Sequence, residues 1–170
     1  VNINPYSLEI APFHIKNSKV VVLAAVQRNG YLLGDASYEM QNDKEVVLAA
    51  VQKNGGALEY ASEALRNDKE VVLAAVQKNG GALEYASPGL QKEKEVVLAA
   101  VQTHGWALEY VLNEFKNDKE VVLAAVQQFA PALGFASREL NKDKDIKFAA
   151  GTGNYHNDTL FVEMLPSVWE

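Results

Sequence analysis

The chain contains no cysteine. Disulfides and thiolate metal sites are therefore excluded, the fold rests on packing alone, and a reducing compartment is plausible. Long apolar runs are also missing: the longest resemble Val46 to Val51, whereas a membrane span needs about 20 residues. No membrane insertion is expected, and no signal-peptide pattern appears. The chain begins with Val1 rather than methionine, as a processed mature form or a piece of a longer protein would. Basic residues are outnumbered, 16 Lys and Arg against 22 Asp and Glu, for a net charge of −6. The two signs are interspersed, so no basic stripe exists to neutralise phosphates and nucleic acid is not an expected partner.

Catalytic and metal-binding patterns are equally thin. His14, His104 and His156 lack ligand spacing such as H-x-x-x-H. Gly151-Thr152-Gly153 is too short for a phosphate loop, and the serines sit at repeated positions that suggest no Ser-His-Asp set. The carboxylates recur with a period, as scaffold residues do, instead of forming one acid–base pair. No catalytic residue, cofactor or metal is expected, and the chain is not expected to be an enzyme.

What the sequence does contain is a repeat. The phrase K-E-V-V-L-A-A-V-Q starts at Lys44, Lys69, Lys94 and Lys119, each 25 residues after the last. Lys19 opens a variant one step earlier, and Lys144 opens K-D-I-K-F-A-A one step later. The second half recurs too, from Ala57 to Ser62, Ala82 to Ser87 and Ala107 to Leu112, and more loosely around Leu33 and Leu133. A fixed period of this length indicates stacked units that cannot bury their apolar faces alone.

Helix is the expected content of each unit. Asn42 followed by Glu45, Asn67 by Glu70 and Asn117 by Glu120 read as capping boxes. Gly30, Gly55, Gly80 and Gly105 stand where a helix would end in a left-handed residue. Leu58, Ala61 and Leu65 fall on one helical face in the second half, and Ser87-Pro88 predicts a late start or kink in the third unit. A strand reading, as in leucine-rich repeats, is favoured by the paired valines, but the alanines and caps oppose it. The first helix is apolar nearly all round and must be enclosed; on that reading truncating Leu73 to alanine costs about 2–5 kcal/mol.

The expected architecture is therefore all-α: a right-handed or gently curved α-solenoid of two-helix repeats. Residues 1–16, with Pro5 and Pro12, form an irregular N-terminal arm; residues 17–150 hold five repeats plus a truncated sixth; residues 151–170 form a capping or docking tail.

The phrase N-D-K-E-V-V-L-A-A-V-Q-K-N-G-G-A-L-E-Y-A-S at residues 67–87 resembles the domain-of-unknown-function family DUF4116. The resemblance implies tandem helical repeats within larger proteins or assemblies, and it brings no catalytic residues with it.

Function in repeat proteins is expected where the pattern breaks. The turn reads Asn-Gly-Gly in the regular units but carries Tyr31, His104 with Trp106, and Phe129 elsewhere. Exposed aromatics anchor interfaces, although these rings could equally plug packing gaps. Tyr60, Tyr85, Tyr110 and Phe135 form an aromatic ladder beside the acidic row Glu59, Glu84 and Glu109. Phe161 and Trp169 are further candidates in the tail. The leading expectation is a non-catalytic protein–protein interaction or scaffold module, an accessory or linker subunit binding another protein. The alternatives are a ligand-binding or enzymatic site built from His104, Trp106, Phe129 and His156, and a structural spacer within a longer chain.

Overall fold

The computed structural model describes residues 8–152, and among these every regular element is helical. Six long helices open the successive units: α1 (Lys19–Val26), α2 (Lys44–Lys53), α3 (Lys69–Lys78), α4 (Lys94–Thr103), α5 (Lys119–Gln128) and α6 (Lys144–Thr152). Each packs beside the next, forming one layer. The second layer is made of short 3-10 helices, Gly30–Asp35, Gly55–Tyr60, Gly80–Tyr85, Gly105–Glu109 and Ala130–Phe135, which pack on one another in the same order. From α2 to α5, every long helix touches the 3-10 helix of its own unit and that of the unit before. The result is a solenoid with the 25-residue period of the sequence.

The second half of a unit is not one continuous α-helix. After Tyr60 the chain is extended at Ala61 and Ser62, and a four-residue α-turn, Glu63–Arg66, follows. The Ser62 hydroxyl drives this break by accepting from the Leu65 N–H at 3.3 Å, as an N-cap does. In the third unit a 3-10 turn at Leu90–Lys92 replaces the α-turn after Pro88, but the fifth unit makes the same replacement at Leu140–Lys142 without a proline.

Two capping expectations need correcting. The long helices are capped by Asp43, Asp68 and Asp118, one residue after the asparagines; Asp43 Oδ1 accepts from Glu45 and Val46 at 3.0 and 3.2 Å. Asn42, at the end of the first unit, instead accepts from the Ser62 hydroxyl of the second unit at 2.6 Å. Nor do Gly30, Gly55, Gly80 and Gly105 end helices in the left-handed conformation. They are needed because units crowd together there: a Cβ on Gly55 would collide with the Ala75 carbonyl oxygen and lie 2.8 Å from the Asn79 nitrogen. Ala130 holds the place in the fifth unit.

The first residues also depart from the expected irregular arm. From Leu8 onward they follow the repeat. Leu8 is buried like Leu33 and Leu58, and Phe13–Lys16 forms the same short α-turn as Tyr38–Gln41, with Pro12 at its N-cap. Ser37 N–H donates to Lys16 O at 3.0 Å, as Ser62 N–H donates to Gln41 O at 3.0 Å. Leu8 joins Ala25 and Leu32 in a small cluster at this end. Leu32 stands where Ala57, Ala82, Ala107 and Ala132 sit in later units, the larger side chain filling space at the end of the stack. Beyond Thr152 the expected tail lies outside the described residues.

One continuous core runs through the stack. Val46, Val47, Ala50, Val51 and Leu58, and the counterparts of each in units three and four, are shielded almost completely from water. The enclosure is not all round. Leu48 and Ala49, with Leu73 and Ala74, Leu98 and Ala99, and Leu123 and Ala124, are half-buried along the outer helix face. The loss expected for Leu73 is thus too high, because its side chain surrenders only part of its surface.

Two polar ladders tie neighbouring units. Lys44 Nζ reaches Asp68 at 2.7 Å and Glu70 at 2.8 Å in the next unit, and Lys19, Lys69, Lys94 and Lys119 repeat the pattern. The second ladder is Ser37–Asn17, Ser62–Asn42, Ser87–Asn67 and Ser137–Asn117. Its missing rung has lost both partners together, with Lys92 for asparagine and Leu112 for serine. Losing only one would have left a partly buried polar group unpaired, which is the costlier change.

Burial works against ionisation of Asp43 and Asp118, but Lys19 and Lys94, aided by the N–H groups at each helix start, outweigh it and hold both carboxyls below their ordinary value. Asp68 and Asp143 are lowered chiefly by Lys44 and Lys119. The five ladder lysines are raised by the hydrogen bonds to their carboxylate partners.

Three stability outcomes follow for urea unfolding. Leu83→Ala, at 1% exposure, should cost about 2–5 kcal/mol, Leu73→Ala only about 1 kcal/mol, and Gly55→Ala should destabilise by displacing the next unit. The melting temperature should be level between about pH 5 and 10. The carboxylate contribution is present above the unfolded value of 3.8 and lost as pH falls through the lowered folded values. The lysine contribution is present below 10.5 and lost as pH rises through the raised ones. Thermal scans across pH that fall steadily between pH 9 and 5 would contradict this ladder.

Candidate interaction surface

The aromatic residues at the turns and the ladder on the 3-10 layer share one side of the molecule, and glycines position them. Tyr31 of the first unit leans forward over the second: a Cβ on Gly56 would lie 2.9 Å from its hydroxyl oxygen. Trp106 of the fourth unit leans back over the third, 2.9 Å from a Cβ built on Gly81. The order Tyr31, Gly56, Gly81, Trp106 at one repeat position is thus a packing rule: a large ring is admitted where its neighbour has no side chain. Tyr31 remains 46% exposed and Trp106 is half-buried, so the rings both fill local gaps and present surface.

His104, Trp106 and Tyr110 form a cluster. The His104 and Trp106 rings meet edge-to-face at 5.6 Å, and those of Trp106 and Tyr110 at 5.9 Å and 79°, an arrangement favoured by the ring quadrupoles. His104 Nδ1 also accepts from the Gly80 N–H at 3.2 Å. It does the work that the Asn54 side chain does for Gly30 at 2.8 Å, so its role is to join units. Phe129 belongs to the packing: it is half-buried against the core, and its Cβ lies 2.7 Å from a Cβ built on Gly105.

In the second ladder Tyr60 lies across the preceding unit, with its ring 2.9 Å from a Cβ built on Gly34. Tyr60 and Tyr110 are exposed, while Tyr85 and Phe135 are half-buried. Burial, a hydrogen bond to Glu84 and the Glu84 and Glu59 carboxylates push the Tyr85 phenol up to about 12. Glu59, Glu84 and Glu109 are all exposed. The residues that reach back to this backbone differ from unit to unit: Gln91 Nε2 donates to Glu84 O at 3.1 Å, and Lys116 Nζ to Glu109 O at 2.8 Å.

The His104, Trp106, Phe129 and His156 grouping comes together only in part. His104 and Trp106 touch, Phe129 packs inward, and His156 lies outside the described residues, as do Phe161 and Trp169. His14 is exposed near the first-unit end. Among the described residues, no group of three or more His, Asp or Glu is placed to hold a metal ion, and no helix is long and apolar enough to cross a membrane. An open groove of about 470 Å³ lies between α1 and α2, lined by Leu23, Gln27, Lys44, Glu45, Leu48, Ala49 and Gln52. Sequence reasoning passed over the Ser–Asn and Lys–carboxylate ladders; the joint change at Lys92 and Leu112 was the available signal.

Spectrophotometric titration should find one tyrosine ionising near pH 12. Glu84→Gln should bring it down toward the ordinary tyrosine value, because it removes the carboxylate that opposes phenolate formation. The group's contribution to folding is present below pH 10 and lost as pH rises from 10 toward 12. A Tyr85→Phe variant that retains the late transition would refute the assignment.

No curated protein and no solved structure matches this chain. The sequence model of DUF4116, described as a domain of unknown function, matches three successive stretches, residues 1–41, 43–91 and 93–141. The last two matches each span the length of two units, and the first includes residues once expected to be an irregular arm. With most of its length matched in tandem and the period of those matches embodied in its packing, the chain belongs to the DUF4116 family.

Proposed function

We propose that this chain is a non-catalytic protein-interaction or scaffold module, serving as an accessory or linker subunit of a larger assembly. The observation that carries the reading is the exposed aromatic face of the 3-10 layer, where Tyr31, Tyr60 and Tyr110 remain open to solvent and Trp106 is half-exposed beside them. Aromatic side chains supply large contact area at little entropic cost and are enriched in interfaces. The stacked helices beneath hold them at fixed intervals, as a rigid binding surface requires. The groove between α1 and α2 favours an enzyme less, because an active site needs converging polar groups in an enclosed cavity, and its lysine and glutamate are already engaged in the ladder.

A photo-reactive phenylalanine analogue placed at position 60 or 110 in the native host should form adducts with a defined protein. The same probe at position 73, on the helix layer, should form several-fold fewer. Equal capture at position 73, or adducts spread over unrelated proteins at both, would remove the reading.

A further inference from the structure

The first and last long helices offer unlike faces. In α6, Ile146 and Ala150 are buried while Lys147 and Gly151 are exposed. Ile146 holds the repeat position of Val46 and Val121, so that position looks back at the preceding unit. Lys147 and Gly151 hold the positions of Val122 and Val126, which are fully buried one unit earlier, so those positions look forward. In α1 the pattern is reversed. The forward positions, Val22 and Val26, are buried, and the backward one, Val21, is only half-buried.

The chemistry of the two faces differs accordingly. At α6 a lysine and a glycine replace valines, which is the polar outer face of a capping unit. A further helix packed there would have to bury the Lys147 ammonium. At α1 the valine is kept. Beside it Val20 is 80% exposed, in the place of Glu45, Glu70, Glu95 and Glu120. Ile10 is 84% exposed, in the place of Tyr60, whose ring lies back across Gly34 of the preceding unit. The counterparts of Val20, Val21 and Ile10 all reach toward a unit before their own.

Two observations say what fits this face. Leu8 to Lys16 form the second half of a unit, with Leu8 packed on Ala25 and Leu32, and among the described residues no long helix belongs to that half. The family pattern supplies its identity. The three matched stretches end in one register, at residues 41, 91 and 141; the second opens at Asp43 and the third at Glu93, the N-caps of α2 and α4. In that register the element before Leu8 is a valine–alanine helix. Charge then narrows the choice. Inner junctions hold the ladder lysine of the preceding helix with a carboxylate pair such as Asp43 and Glu45, but Ser18 and Val20 stand in those two places here. An incoming lysine would lose water against Val20 and meet neither carboxylate. We propose that the N-terminal face formed by Val20, Val21 and Ile10 docks one helix of the repeat's own valine–alanine kind. It is the first half of the unit that Leu8 to Lys16 complete, with an apolar residue in place of the ladder lysine.

The test compares the whole chain with one extended before Val1 by D-L-E-V-V-L-A-A, the Asp43–Ala50 sequence with leucine at the ladder position. Thermal scans followed by circular dichroism should place the extended chain about 5 °C higher. Val21→Lys should abolish that gain, yet shift the unextended chain by less than about 1 °C, since the side chain is partly open to water there. The same extension with its lysine retained should gain less. Equal melting of the two chains, or a gain that survives Val21→Lys, would overturn the proposal. A loss of several degrees from Val21→Lys in the unextended chain would overturn it too, because residues already present would then cover the face. Sedimentation should find the unextended chain monomeric; a dimer dispersed by Val21→Lys would give the face to a second copy instead. An equal gain from the lysine-bearing extension would overturn the choice of residue at the ladder position. Neither Val20 nor Val21 belongs to the aromatic face, so photo-adducts at position 60 or 110 are decided separately.

Discussion

Val46, Val47, Ala50 and Val51 lose contact with water because a helix lies on either side of them. An apolar helix of about three turns is marginal alone in water; what stabilises it is the same helix 25 residues away. The alanines allow that approach and the valines fill the space between. Almost every other feature of the molecule answers to this side-by-side contact, including the glycines at the turns, where the Ala75 carbonyl of the next unit leaves no room for a side chain at Gly55.

The polar residues then fix how units meet. Asp43 serves its own helix by capping it and the preceding unit by holding Lys19, so one carboxylate joins local and long-range order. Glu93 keeps the second task and drops the first: it holds Lys69 but caps nothing. The serine hydroxyls are similarly double, since Ser62 accepts from Leu65 and donates to Asn42. Such half-exposed pairs are individually weak, but they recur at each junction, and they discriminate against slipped stacking more than they add to stability.

This division of labour frees one face. With the valines committed to the core and the lysines to one edge, the 3-10 layer is a face on which the units differ: Tyr31 and Trp106 are partly open to solvent where Gly56 and Gly81 are buried. The differences are coordinated with the packing, since Tyr31 and Trp106 each lean over a neighbouring glycine. A surface that varies while its support repeats is a natural place for specificity.

The 25-residue period, the helical nature of the valine-alanine segments and the burial of positions such as Val72 and Leu83 were legible in the residues themselves, because hydrophobic periodicity acts within a few residues of chain. Other features were decided only by the stack: that Leu73 is half-exposed, that the turn glycines serve close approach rather than left-handed geometry, that the chain from Leu8 to Lys16 completes a repeat, that Phe129 turns inward while Trp106 crosses to Gly81. Each depends on distances between units, and those are set by how two helices settle against each other, a quantity that no single unit carries in its own sequence.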